Sequence, residues 1–172
     1  MTTTLLALVA PLEAQLRTAL AALPQANRDV AKLTVALTSS DTREGVRVEI
    51  NGADVTFHGD DGSADLRLTA DLAIFVELMQ QGSLRFVTDP IMRGKVPAIK
   101  KVRGMLRLNC KEGGDILVTF ADTRKPEAVV AMSKADAIGM LVGTVNPQMA
   151  VVMGRMRIVS GMDFLMSLDR IM

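Results

Sequence analysis

Apolar positions along the chain move from a helical period to a strand period near Val46. Before that point, Leu5, Leu8, Val9, Leu12, Leu16, Leu20 and Leu23 mark one face of a helix over residues 4–23. Pro11 interrupts this stripe. A proline inside a helix costs about 3 kcal/mol, so the helix is expected to begin at Pro11 or bend there, and Pro24 ends it. Asn27 to Leu33 reads as a second short helix, Thr34 to Leu37 as a strand, and Ser39 to Gly45 as a polar turn. From Val46 the period is two. Val46, Val48 and Ile50 alternate with Arg47 and Glu49, and Asn51-Gly52 is a hairpin turn. Val55 and Phe57 return, Gly59 to Ser63 turns again, and Leu66 and Leu68 form a third strand. The pattern predicts three antiparallel strands followed by a helix from Leu72 to Met79, closed by Gly82.

The same order recurs downstream. Leu106, Leu108 and Cys110 alternate with Arg107 and Asn109, Glu112 to Asp115 turns the chain, and Ile116, Val118 and Phe120 return. Val130 and Met132 begin another strand, and a helix from Ala135 stops at Gly143. Val55-Thr56-Phe57 aligns with Val118-Thr119-Phe120, Ala70-Asp71 with Ala135-Asp136, Gly82-Ser83-Leu84 with Gly143-Thr144-Val145, and Met92 with Met153. This is the pattern of a degenerate duplication; alternating strands and glycine turns also align by chance. On the duplication reading, residues 1–45 are an N-terminal helical region, 46–104 a first half and 105–172 a second half of one domain with one continuous sheet. Sixty residues alone make a marginal core.

The closing stretch is the most legible. Asn146 and Pro147 read as N-cap and first residue of a short helix through Met153, stopped by Gly154. Arg155, Met156, Arg157 and Ile158 alternate as in a strand, and Gly161 breaks it. From Asp163, read as an N-cap, Phe164, Leu165, Leu168, Ile171 and Met172 recur at helical spacing. Eight of the twelve methionines fall between Met132 and Met172. Methionine is unbranched and polarizable, so it repacks around ligands of different shape, and it also fills gaps in ordinary cores.

Composition narrows the classes. The chain is 49% apolar and 23% charged with net charge +1, which gives no global pull toward nucleic acid. The single Cys110 excludes an intramolecular disulfide and fits a reducing cytoplasm, the expected location. The first residues lack a basic n-region and read as a packed helix rather than a signal. Arg93, Lys95, Lys100, Lys101 and Arg103 cluster between the two halves without an acidic residue among them. The functional reading is transient docking on an anionic membrane by Lys95, Lys100, Lys101 and Arg103; the plain one is a solvated surface.

Catalytic chemistry is not visible. His58 is alone, with no Gly-x-Ser-x-Gly elbow for a relay, and reads as a surface side chain. Cys110 with His58 is a conceivable nucleophile pair, but Cys110 falls on the apolar side of its strand. Asp60, Asp61 and Asp65 crowd one turn without the terminal glutamate of a calcium loop. No metal, cofactor or enzymatic activity is expected.

Asn146-Pro147, the run Met153-Gly154-Arg155-Met156-Arg157-Ile158, Gly161 and Leu168 together resemble the end of a sterol carrier protein type 2 domain, and Ala135-Asp136 opening a helix to Gly143 is similar to the helix before it. Arg155 stands where lysine is usual, and the Gly161–Leu168 spacing is one residue short. The resemblance covers residues 105–172 well. It implies an α/β protein of the α+β type, a mainly antiparallel sheet covered by helices, with N- and C-terminal helices enclosing an apolar cavity. The implied lining is Leu141, Met149, Val152, Met153, Phe164, Leu165 and Leu168, with Phe75, Leu78 and Met79 as counterparts on the first helix of the sheet region. The implied role is non-enzymatic carriage of a lipid-like molecule, whether a fatty acyl group, an isoprenoid or quinone precursor, or a sterol-like compound. The rival reading makes the methionine-rich face a protein interface, either of a homodimer or for a partner enzyme.

Overall fold

A computed structural model describes residues 4–82 and 84–170. Its strands are β1 (Lys32–Ser39), β2 (Gly45–Asn51), β3 (Asp54–Gly59), β4 (Leu66–Ala70), β5 (Gly104–Cys110), β6 (Ile116–Phe120), β7 (Glu127–Met132) and β8 (Arg157–Ser160). They form one sheet in the order β3-β2-β1-β4-β6-β5-β7-β8. The pairings β1–β4 and β5–β7 are parallel and the other five are antiparallel, so the architecture is α/β with a mostly antiparallel sheet. The helices are α1 (Leu5–Ala21), α2 (Gln25–Asp29), α3 (Leu72–Gln80), α4 (Arg85–Met92), α5 (Val96–Ile99), α6 (Lys134–Val142), α7 (Pro147–Val152) and α8 (Met162–Asp169).

Register puts the apolar alternation of successive strands on one face. Leu37 lies opposite Val46 and Leu68, Leu68 opposite Val118, Val118 opposite Leu106, and Leu106 opposite Ala128. α1, α3, α4 and α6 pack among one another, and the core closes with Leu5, Leu16, Leu20, Phe75, Leu78 and Leu108, all fully buried. Each such side chain contributes about 1.5–3 kcal/mol by leaving water. The other face is wet and carries ion pairs: Arg67 with Asp60 and Asp122, and Arg107 with Glu127 and Asp115.

Several expectations are corrected. The first helix does not start at Pro11, which lies exposed inside α1. Leu33 belongs to β1 rather than to the helix before it, because its side chain joins the buried face beside Ile50. The three strands after Val46 do not form a simple meander. β4 leaves the β2–β3 hairpin, pairs parallel with β1 and antiparallel with β6, and so bridges the two ends of the sheet. A strand paired antiparallel with the next and parallel with the one before a helix occurs twice, as β1-β2-β4-α3 and as β5-β6-β7-α6. In that topology β1 corresponds to β5, whereas the sequence alignment sets β2 against β5. The alignment at Gly82-Ser83-Leu84 includes Ser83, and the helical pattern at Ile171 and Met172 extends past Arg170; these three residues lie outside the described ones.

Candidate functional site

Asn146 caps α7 as its sequence suggests: its side-chain oxygen accepts the Met149 N–H at 3.1 Å, with Pro147 as first helical residue. This helix buries a single residue, Ala150. Its end folds back, since Arg155 N–H and Met156 N–H both donate to the Ala150 carbonyl at 2.8 and 3.2 Å. Met156 turns into the core, and the Arg155 guanidinium pairs with Asp136 of α6, whose side chain is 8% exposed. β8 therefore begins at Arg157, two residues later than the alternation predicts.

The strand then turns at Gly161 (φ 78°), which is the N-cap of α8 in place of the expected Asp163. A left-handed N-cap suits glycine. The seat is also tight, because a Cβ on Gly161 would lie against the Glu127 carbonyl oxygen and 2.5 Å from Ala128 Cα. α8 buries Phe164 and Leu168, with Leu165 partly buried against the core. The Phe164 ring meets Phe120 edge to face, centroids 6.2 Å apart at 82°, a favoured geometry for an aromatic pair. Gly104 makes room for it, since a Cβ there would fall 2.7 Å from Phe164 Cζ. Gln148 Nε2 donates to Asp169 Oδ1 at 3.2 Å and ties the first turn of α7 to the end of α8.

The expected lining residues separate into two groups. Phe75, Leu78, Leu141, Phe164 and Leu168 are buried, and Met79 and Leu165 are half-buried against the same core. Met149, Val152 and Met153 instead face solvent, at 55%, 81% and 64% exposure. These three stand on the outside of the molecule, not on the wall of a closed cavity. Of the six residues of α7 only Ala150 faces inward. Val151, Val159, Met162 and Met166 are exposed as well. Seven of the ten exposed large apolar side chains among the described residues thus lie between Met149 and Met166.

Two open concavities stand out. One, of about 360 Å³, is a polar hollow between α2 and the β2–β3 turn, bounded by Gln25, Arg28, Asp29, Lys32, Asn51 and Gly52. The other, of about 500 Å³, runs beside α8, bounded by Ala98, Lys101, Val102, Arg103, Pro126, Asp163, Phe164 and Ser167. The basic cluster disperses around it. Lys101 and Arg103 stand on its rim, Lys100 reaches the Lys32 carbonyl at 3.3 Å, and Lys95 is the N-cap of α5. Arg103 Nη1 donates to the carbonyls of Lys100 and Val102 at 2.7 and 2.8 Å.

The catalytic candidates stay apart. His58, on edge strand β3, lies 3.4 Å from Glu49, and four strands separate it from Cys110 on β5. Burial, with Asp115 and Glu112 nearby, pushes the Cys110 thiol up to about 11, so it is not a thiolate near neutral pH. Asp60 is taken by Arg67, and Asp65 accepts the Thr34 N–H at 2.9 Å. Among the described residues no group of three or more His, Cys, Asp or Glu could hold a metal ion, and no helix is long and apolar enough to cross a membrane. Sequence reasoning missed Asp136 as the partner of Arg155. Its only signal was an acid three residues after the N-cap Ser133.

No curated protein matches the chain. Among solved structures, a "UbiJ-SCP2 Ubiquinone synthesis protein" is similar, with 18% sequence identity over 54% of this chain and 91% of that one, and a TM-score of 0.33. A likeness that loose adds nothing to the fold described above. Residues 92–172 match the SCP-2 sterol transfer family, the same family resembled by the residues around Asn146-Pro147 and Met153–Ile158, and this match supports lipid binding or transfer in general terms.

Proposed function

We propose that the protein binds and carries a lipid-like molecule without catalysing a reaction, and that segment 146–170 holds the apolar tail. The observation that carries this reading is the crowding of solvent-exposed Met149, Val152, Met153, Met162 and Met166 within the stretch that matches a sterol transfer family. Flexible thioether side chains adapt to tails of different shape. An acyl, isoprenoid or sterol-like tail gains roughly 0.8 kcal/mol for each methylene it buries. The tail lies against the exposed apolar side chains of α7 and α8. The Gln148–Asp169 hydrogen bond links these two helices.

The chain has no Trp or Tyr, so a fluorescent fatty acid can be titrated against a dark background. Saturable binding is expected, weakened at least tenfold in a Met149→Asp/Met153→Asp variant. Absence of saturable binding for fatty acid, isoprenoid and sterol probes alike would refute the proposal. A protein-interface role for the same face would show instead as an oligomer that Val152→Asp disperses. Phe164→Asp cannot make that distinction, because Phe164 is 7% exposed and its charge would unseat α8.

A further inference from the structure

The sulfur-bearing side chains divide sharply by their access to water. Among the described residues, Met105, Met132, Met156 and Cys110 are buried, and Met79 and Met140 are half-buried against the core. Met92 is exposed by itself at the end of α4. The other four outward methionines come in two pairs. Met149 lies in α7 with Met153 at its C-cap, and Met162 and Met166 lie in α8. Residues four apart share one face of a helix, and the Gln148–Asp169 hydrogen bond links the two helices. All four are more than half exposed, whereas Met156, in the same segment, turns inward. Four thioethers are thus open to a small oxidant on the two helices that carry the exposed apolar side chains.

We propose that Met149, Met153, Met162 and Met166 form a redox-modification site, at which a hydroperoxide makes methionine sulfoxides and so releases the lipid-like tail. The sulfur lone pair attacks the outer oxygen of the hydroperoxide. As the S–O bond forms the O–O bond breaks, and sulfur gives up two electrons. The hydroxyl proton passes to the departing oxygen, which leaves as water or an alcohol. A thioether needs no deprotonation to react, so access decides which sulfurs are oxidised. Cys110, the other oxidisable side chain, is shielded by burial. A sulfoxide is polar and hydrated, and covering it with a hydrocarbon tail strips its water without returning a hydrogen bond. Oxidation therefore acts on the tail-binding side chains and spares the methionines of the core. Enzymatic reduction of the sulfoxide reverses the change. Its output is loss of cargo, and in that it rests on the carrier reading.

Delipidated protein is treated with hydrogen peroxide, and the excess is destroyed with catalase. Peptide mass spectrometry then follows each methionine while dansyl-labelled undecanoic acid is titrated. The four methionines should be oxidised on the order of tenfold faster than Met105, Met132 and Met156, and binding of the fatty acid should fall roughly tenfold. Peroxide should leave the affinity of Met149→Leu/Met153→Leu/Met162→Leu/Met166→Leu where it started, whatever that value is, because leucine offers no oxidisable sulfur. The Met92→Leu control should lose as much as the parent. Sulfoxide reductases acting on both sulfur epimers should restore binding to the oxidised parent, a test independent of any variant. Equal oxidation of buried and exposed methionines, unfolding of the oxidised protein, an equal loss in the fourfold variant, or no recovery on reduction overturns the proposal. Binding that oxidation does not touch removes this proposal alone and leaves the carrier role standing. No binding by the untreated protein removes the carrier reading and this proposal with it.

Discussion

Replacing Gly161 by alanine tests the seating of α8 more sharply than any core truncation, because a matched control lies seven residues away. Gly161 and Gly154 have nearly the same left-handed backbone, φ 78° and 72°. A side chain in that conformation costs roughly 1–2 kcal/mol at either position. The surroundings differ. Nothing lies within 4 Å of a Cβ on Gly154, whereas one on Gly161 would strike the Glu127 carbonyl oxygen and sit 2.5 Å from Ala128 Cα and 2.8 Å from Ala128 Cβ. Those neighbours belong to β7, whose pairing with β5 and β8 prevents them from yielding. Overpacking of this kind adds about 1–3 kcal/mol. Gly154→Ala should therefore destabilise by about 1–2 kcal/mol, and Gly161→Ala by about 2–5 kcal/mol. Urea unfolding, with a slope of about 1–3 kcal/mol per molar for small proteins, resolves the gap as a lower midpoint for Gly161→Ala. Hydrogen exchange should show the loss concentrated in α8. Equal midpoints for the two variants would refute the claim that α8 is held against β7 by close backbone approach.

Three further outcomes follow from named contacts. Arg155→Met leaves the Asp136 carboxylate buried without its partner and should cost about 1–3 kcal/mol, discounted because Arg155 is half exposed; Arg155→Met/Asp136→Asn should recover part of that loss in the same melt, and a fully additive double variant would count against a coupled pair. Burial alone would raise the Asp122 pKa, but the hydrogen bonds from Arg67 and the Ala64 N–H outweigh it and hold the carboxyl below its ordinary 3.8. Its contribution to stability is thus complete above the unfolded value and disappears as pH falls through the lower folded one. Asp122→Asn should therefore flatten the decline of stability below about pH 4, and an unchanged slope would contradict this. The Cys110 thiol, raised to about 11 by burial, should resist an aromatic disulfide reagent at pH 8 until the protein unfolds; immediate labelling of native protein would contradict its burial.

What the sequence disclosed follows from the range of each interaction. Local signals read correctly: Asn146-Pro147 caps α7, Gly143 ends α6 with φ 82°, and Asn51-Gly52 turns the β2–β3 hairpin. Strand order did not read, because β4 pairs with β1 and β6 across long separations that alternation cannot specify. The match over residues 92–172 agrees with the family seen in the last third. The position of the methionines is the clearest departure. Periodicity places Met149 and Met153 on one face of α7 but cannot say whether that face turns inward, and here the inward position is taken by Ala150. Arg155 with Asp136, and Phe164 with Gly104, are contacts between elements distant in sequence, for which one chain offers no spacing rule.

Native mass spectrometry of freshly purified protein tests the central claim most directly, because it reports any retained small molecule and the number of subunits together. The account predicts the 18.5 kDa chain carrying a hydrophobic adduct that organic extraction removes and that Met149→Asp/Met153→Asp fails to retain. A bare chain that stays bare after incubation with fatty acid, isoprenoid and sterol would contradict it.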